Sequence, residues 1–148
     1  MDLALNSGLL AEIAAAAPGA LAAQAAEPTA ALDYYGLFAR SVVMTLSVEL
    51  IVLFLVVRLW FKLTRRSLSN PLLVFAGIFA SSGTLPWLWF VLPRVIPSYG
   101  LMIAVGEVLV WAAEALFYHC VLRLSWKRSG LLSLVCNSAS YGTGLLVL

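Results

Sequence analysis

Residues 39–63 read ARSVVMTLSVELIVLFLVVRLWFKL, a run of apolar and small hydroxyl residues interrupted by one acid, Glu49, and closed by Arg58 and Lys62. A helix rising 1.5 Å per residue needs about 20 residues to cross a hydrocarbon layer about 30 Å thick, and this stretch is long enough. Working outward, residues 71–92, 100–124 and 131–148 meet the same requirement. The connectors between them, 64–70, 93–99 and 125–130, cannot hold a folded soluble domain. Connectors this short make neighbouring helices antiparallel and adjacent. The expected fold is all-α: a polytopic membrane protein built as a four-transmembrane-helix bundle over residues 39–148.

Composition leads to the same class. Apolar residues make up 63% of the 148 and charged residues 11%, where soluble domains average about 45–50% and about 25%. Nine cations against seven acids form no basic stripe, so nucleic-acid binding is not expected. Cys120 and Cys136 form no CxxC pair, so neither a disulfide framework nor a zinc site is encoded. Residues 1–38 differ from the rest, with thirteen alanines in the first 31 positions and no cation before Arg40. They read as an Ala-rich tail outside the cytoplasm or an atypical signal segment, with a small-residue cleavage site arguable at Ala23-Gln24-Ala25.

Lys and Arg are retained on the cytoplasmic side of membranes. Arg58, Lys62, Arg65 and Arg66 gather at the first connector, and Arg123, Lys127 and Arg128 at the third. This asymmetry predicts a prokaryotic inner membrane or its equivalent, with both termini outside the cytoplasm. Trp60 and Trp126 would then lie at the inner interface, Trp87 and Trp89 toward the outer one.

A weak repeat is also visible. Met44-Thr45-Leu46-Ser47-Val48-Glu49 matches Met102-Ile103-Ala104-Val105-Gly106-Glu107 at an offset of 58 residues, and Ser81-Ser82-Gly83-Thr84 is followed by Asn137-Ser138-Ala139-Ser140 at an offset of 56. The expected finer architecture is two hairpins in a parallel repeat.

The candidate site comes from acids placed where they are costly. An ionised carboxylate near the middle of a span costs about 2.5–3.5 kcal/mol on insertion scales, so such residues face the bundle interior and carry a partner or a role. Counting the helical rise from the outer ends puts Glu107 roughly 10 Å deep, Glu49 roughly 13 Å, Ser81 roughly 16 Å, Asn137 roughly 18 Å and Glu114 roughly 21 Å. Glu107, Glu114 and Tyr118 are spaced seven and four apart, which places them on one helical face. Ser133, Asn137, Ser140 and Gly144 form a second stripe, of the small and polar kind that supports interhelical hydrogen bonds. Thr84 joins from the second span, where Pro86 frees the carbonyl of Ser82. The predicted intramembrane polar cluster is therefore Glu49, Glu107, Glu114, Asn137, Ser81, Thr84, Ser140 and Tyr118. No Lys, Arg or His shares its layer. The carboxyls must hold a proton, bind a proton or cation reversibly, or find a countercharge on a partner. No hydroxyl has a base at its depth, and a lone His119 beside Cys120 makes no haem or metal site. Catalytic residues, metals and cofactors are not expected.

The surroundings of Glu49 lack the aromatic and glycine pattern of small multidrug-resistance transporters. Its spacing to Arg58 does not reproduce the motif of four-helix glutathione-linked membrane enzymes. Gly83-Thr84-Leu85-Pro86-Trp87-Leu88-Trp89, Glu107, Glu114-Ala115 and Asn137-Ser138-Ala139-Ser140 together resemble the layout of uncharacterised prokaryotic four-span membrane proteins, over about residues 75–146. That resemblance implies a shared fold and attaches no activity. Two functions follow as expectations. One is a small non-enzymatic subunit whose glutamates pair with or orient membrane-protein partners. The other is a proton- or cation-coupled transporter or channel acting as a homo-oligomer in the lipid bilayer.

Overall fold

The computed structural model describes residues 28–147. The chain forms helix α1 (Pro28–Leu55), continued by a π-helical segment over Val56–Trp60, then α2 (Asn70–Pro86), a second π-helical segment over Trp87–Val91 and the short α3 (Leu92–Val95). Helices α4 (Tyr99–Leu122) and α5 (Trp126–Val147) complete it. Four of these stretches are long and apolar enough to cross a membrane: Leu32–Trp60, Asn70–Val95, Tyr99–Leu122 and Trp126–Val147. They are called the first to fourth spans below.

The division drawn at residue 38 does not appear as a break, because α1 runs through it. Tyr34, Tyr35 and Phe38 pack edge-on or tilted against Trp89 and Phe90. The Tyr34 hydroxyl donates to the Trp89 carbonyl at 2.6 Å. This aromatic contact gives residues 32–38 a reason to continue the helix rather than leave it. The proposed cleavage site at Ala23-Gln24-Ala25 lies outside the described residues.

The other boundaries move by a few residues, most at the fourth span, where residues 126–130 are helical and not a connector. Trp126 stacks on His119 with ring centroids 4.1 Å apart, and the Trp111 indole N–H donates to the Gly130 carbonyl at 2.9 Å. The third span stops at Leu122 because Arg123 turns left-handed, with φ 54°. At the first connector Arg58 donates to the carbonyls of Leu63 and Leu68 at 2.8 and 2.7 Å and to Asn70 Oδ1 at 2.8 Å.

Each span packs on two neighbours: the first against the second and fourth, the third against the second and fourth. The bundle is thus a ring whose diagonals face each other across the interior. Its exterior is apolar, with Val43, Ile51, Phe79, Val108, Leu116 and Leu134 all exposed. Its interior holds Ser41, Thr45, Glu49, Ser81, Glu114, Ser133, Asn137 and Ser140, all buried. Apolar outside and polar inside is the distribution that lipid selects and water does not. Gly77 sits where a Cβ would come within 2.7 Å of Leu50 Cδ2, so the first two spans approach closely there.

The interior is divided along its length. Leu53, Val56, Val57, Leu73, Ala76, Ala80, Tyr118, Leu122, Leu132 and Cys136 form one buried cluster. Each lies on the arginine-rich side of the cavity-lining polar residue of its own span: Glu49, Ser81, Glu114 or Asn137. The half toward the arginines is therefore an apolar plug, and the other half is free to be polar.

Candidate functional site

Glu49 from the first span and Glu114 from the third are each only 1% exposed. Both reach the second and fourth spans. The Ser81 hydroxyl donates to Glu49 Oε2, and Ser140 Oγ donates to Glu49 Oε1 at 2.8 Å. Thr84 Oγ1 donates to Glu114 Oε1 at 3.2 Å. Asn137 Nδ2 and Ser133 Oγ donate to Glu114 Oε2 at 2.5 and 3.4 Å. Every one of these partners is neutral. The spacing explains the pattern: Ser81 with Thr84, and Asn137 with Ser140, are three apart on a helix, so one face of each span offers a donor to either acid.

Every hydroxyl in this network has a second place to point. Ser81 also reaches the Gly77 carbonyl at 3.0 Å, and Ser140 the Asn137 carbonyl at 3.1 Å. Thr84 reaches the carbonyls of Ala80 and Ser81, both at 3.2 Å, and Ser133 that of Trp111 at 3.0 Å. A hydroxyl carries one proton and two lone pairs. Turned toward the carboxylate it donates; turned toward its backbone carbonyl it presents a lone pair to a protonated carboxyl. Asn137 is fixed instead, because its Nδ2 also donates to the Ser133 carbonyl at 2.9 Å, which can only accept. Glu114 Oε2 therefore stays an acceptor, and Oε1, facing Thr84, is the oxygen free to carry a proton.

The two acids stand at the floor of a cavity of about 400 Å³. Leu37, Trp89, Tyr99 and Leu145, near the span ends remote from the arginine-rich connectors, line it along with Glu107. Glu107 is half-buried and forms no hydrogen bond among the described residues. The Ser41 hydroxyl also lines the cavity, is buried, and has no partner among the described residues. A buried, unpaired hydroxyl facing open space is ready to bind water or a ligand.

Of the predicted cluster, Glu49, Glu107, Glu114, Asn137, Ser81, Thr84 and Ser140 all line this one cavity. Tyr118 does not. It is fully buried in the plug, and its hydroxyl has no partner among the described residues. It shares the helical face of Glu114 but stands one turn deeper, where Leu53, Leu73 and Leu122 fill the space. Ser82 is exposed, so its freed carbonyl belongs to the outer surface rather than to the site. The hydrogen bonds also relate the two hairpins differently from the sequence pairing of Glu49 with Glu107. The acid whose partners come from the same two spans as Glu49's is Glu114, with Thr84 beside Ser81 and Asn137 beside Ser140. The 56-residue offset between second- and fourth-span donors is kept, with Ser81 answering to Asn137 and Thr84 to Ser140.

Ser41 and Thr45 are additional cavity residues that the sequence reading did not single out. A signal existed: Ser41, Thr45 and Glu49 recur every four residues, a polar stripe on one face of an apolar helix. Arg58 and His119 stay out of the site, the first on connector carbonyls and the second with Nδ1 2.6 Å from the Leu124 carbonyl oxygen. Among the described residues no group of His, Cys, Asp and Glu could hold a metal ion.

Fold and site together define a class: an all-helical bundle with four potential membrane spans, surrounding a carboxylate-floored cavity open at one end. Comparison with protein-family models, with curated proteins and with solved structures finds no match.

Proposed function

We propose that the protein is a small transporter that binds a proton or small cation on Glu49 and Glu114 at the floor of an outward-facing cavity. The observation that carries this reading is the set of hydroxyls that can turn between a carboxylate and a backbone carbonyl. Such a network leaves no orphaned group whether the acid is charged or neutral, which is what reversible binding requires. A purely structural hydrogen bond between spans needs no acid, since glutamine would make it without the insertion cost of a carboxylate. The apolar plug below the acids closes the opposite side, so the described form would be one state of an alternating cycle. One chain walls the cavity, and self-association would serve stability rather than enclosure.

The test is proton and cation flux into vesicles carrying the purified full chain. A pH gradient is expected to drive flux that Glu114→Gln and Glu49→Gln each abolish while the protein stays folded. Flux equal to that of protein-free vesicles overturns the reading.

A second reading, a non-enzymatic subunit whose glutamate pairs with a cationic membrane partner, has one observation in its favour: Glu107, half-buried without a bonding partner. Recovery of a co-purifying membrane protein that falls several-fold with Glu107→Gln supports it, and unchanged recovery removes it.

A further inference from the structure

A second cavity, of about 560 Å³, lies at the arginine-rich end between the first and third connectors. Arg123, Arg128, Ser67 and Ser125 supply its polar lining, and Leu72 and Val121 part of its apolar wall. No acid is near in sequence on any of these elements: the chain's seven acids are Asp2, Glu12, Glu27, Asp33, Glu49, Glu107 and Glu114. Of the acids in the spans, the structure commits Glu49 to Ser81 and Ser140 and Glu114 to Asn137, Thr84 and Ser133, and gives Glu107 to the other cavity.

The cations at this end are not equivalent. Arg58 is consumed by three hydrogen bonds to the connector. Lys62, Arg65, Arg66, Lys127, Arg123 and Arg128 are all exposed, and of these only Arg123 and Arg128 line the cavity. Arg128 has its guanidinium held 5.6 Å above the Phe61 ring, and it makes no hydrogen bond among the described residues. A guanidinium stacked on an aromatic face keeps its N–H fork free for another acceptor. Arg123 lines the cavity from a left-handed backbone, φ 54°, a conformation in which glycine is the unstrained residue. Lys62 has the same left-handed backbone outside the cavity, so what sets Arg123 apart is that it lines the cavity together with a second arginine that forms no hydrogen bond among the described residues. Charge asymmetry across a membrane accounts for cations on this face, but not for two of them in one cavity.

We infer that this cavity binds a phosphate group, with Arg123 and Arg128 on its oxygens and the serine hydroxyls of Ser67 and Ser125 as further donors. Arginine forks match phosphate geometry. The half-apolar lining suits the phosphate of an anionic phospholipid, whose glycerol and first methylenes would lie against Leu72 and Val121. Free phosphate is the other source of the same chemistry.

The experiment places the purified full chain in nanodiscs of phosphatidylcholine, with or without phosphatidylglycerol, and counts retained phosphatidylglycerol by native mass spectrometry. A parallel arm adds inorganic phosphate to the phosphatidylcholine discs and follows thermal unfolding. Arg123→Gly and Arg128→Ala are each expected to lower retention about fivefold or more, the effect of removing one cation that faces an anionic headgroup. Arg123→Gly should keep the unfolding midpoint of the lipid-free protein or raise it, because glycine relieves the left-handed backbone. Lys62→Gly is the matched control: Lys62 has the same φ of 54°, the same charge and the same end of the bundle, and lies outside the cavity. It should leave retention unchanged. Arginine-dependent stabilisation by inorganic phosphate alone assigns the site to the free ion; retention of phosphatidylglycerol alone assigns it to the lipid. Equal losses for Lys62→Gly and Arg123→Gly, or none for Arg123→Gly, overturn the proposal in favour of diffuse surface charge.

Discussion

Asn137 shows how a single side chain holds the site. Its amide donates at once to Glu114 Oε2 and to the Ser133 carbonyl, so it orients the acid and ties it to its own helix turn. Asn137→Leu keeps the branched skeleton of the side chain and removes both donated bonds. It is expected to destabilise the bundle by about 1–3 kcal/mol, the cost of leaving a buried acceptor unpaired, as read by reversible unfolding in mixed micelles. Ser138→Ala, one position on and exposed, should change stability by less than about 0.5 kcal/mol. Equal effects would mean that Glu114 does not rely on Asn137. These residues were legible in the sequence because a polar residue in an apolar helix has few places to go, and helical spacing says which ones face together. Tyr118 was misplaced for a related reason. Spacing fixes the face of a helix, while the boundary between cavity and plug is set by what three other helices put at that depth. That boundary falls between Glu114 and Tyr118, a rise of about 6 Å.

At the scale of elements, one side chain ties the two ends of the first connector together. Arg58, in the π-helical segment that ends the first span, satisfies carbonyls that a helix end and a turn leave open. The sequence presents Arg58 as a topology signal, and nothing in it shows which carbonyls will lie within reach. Arg58→Ala removes three hydrogen bonds and should cost about 3 kcal/mol of stability, taking each at about 0.5–1.5 kcal/mol, and raise amide exchange over residues 63–70. Arg58→Lys keeps the charge but lacks the planar fork, so it should restore less than half of that protection. Full rescue by lysine would leave charge, not geometry, as the source of order. The opposite end depends on aromatic packing: Tyr34→Phe loses only the bond to the Trp89 carbonyl and should cost about 1 kcal/mol, with faster exchange confined to the amides near Trp89 and Phe90. The helix boundaries were least legible where such long-range contacts set them, as at residues 32–38 and 126–130.

For the whole molecule the consequence is directional. The plug and the uncompensated cations occupy one end, the open cavity the other, so the membrane orientation decides which compartment reaches Glu49 and Glu114. Under the proposed orientation, with Lys and Arg retained in the cytoplasm, the cavity would face outward. With the exposed Cys120 replaced by alanine and the buried Cys136 kept, a cysteine in place of Ser41 lines the cavity, while one in place of Leu73 sits in the plug. A charged, membrane-impermeant thiol reagent added to intact cells should label the Ser41→Cys variant and leave the Leu73→Cys variant unmodified. Labelling of the first variant only after permeabilisation would reverse the orientation, and would turn the proposed site toward the cytoplasm. Labelling of both from outside would mean that the plug is open in the membrane. The result also bears on mechanism, because a proton or cation bound at the acids can cross only if Leu53, Leu73, Tyr118 and Leu132 separate. Accessibility of the cysteine at position 73 that appears only under a pH gradient would mark that second state.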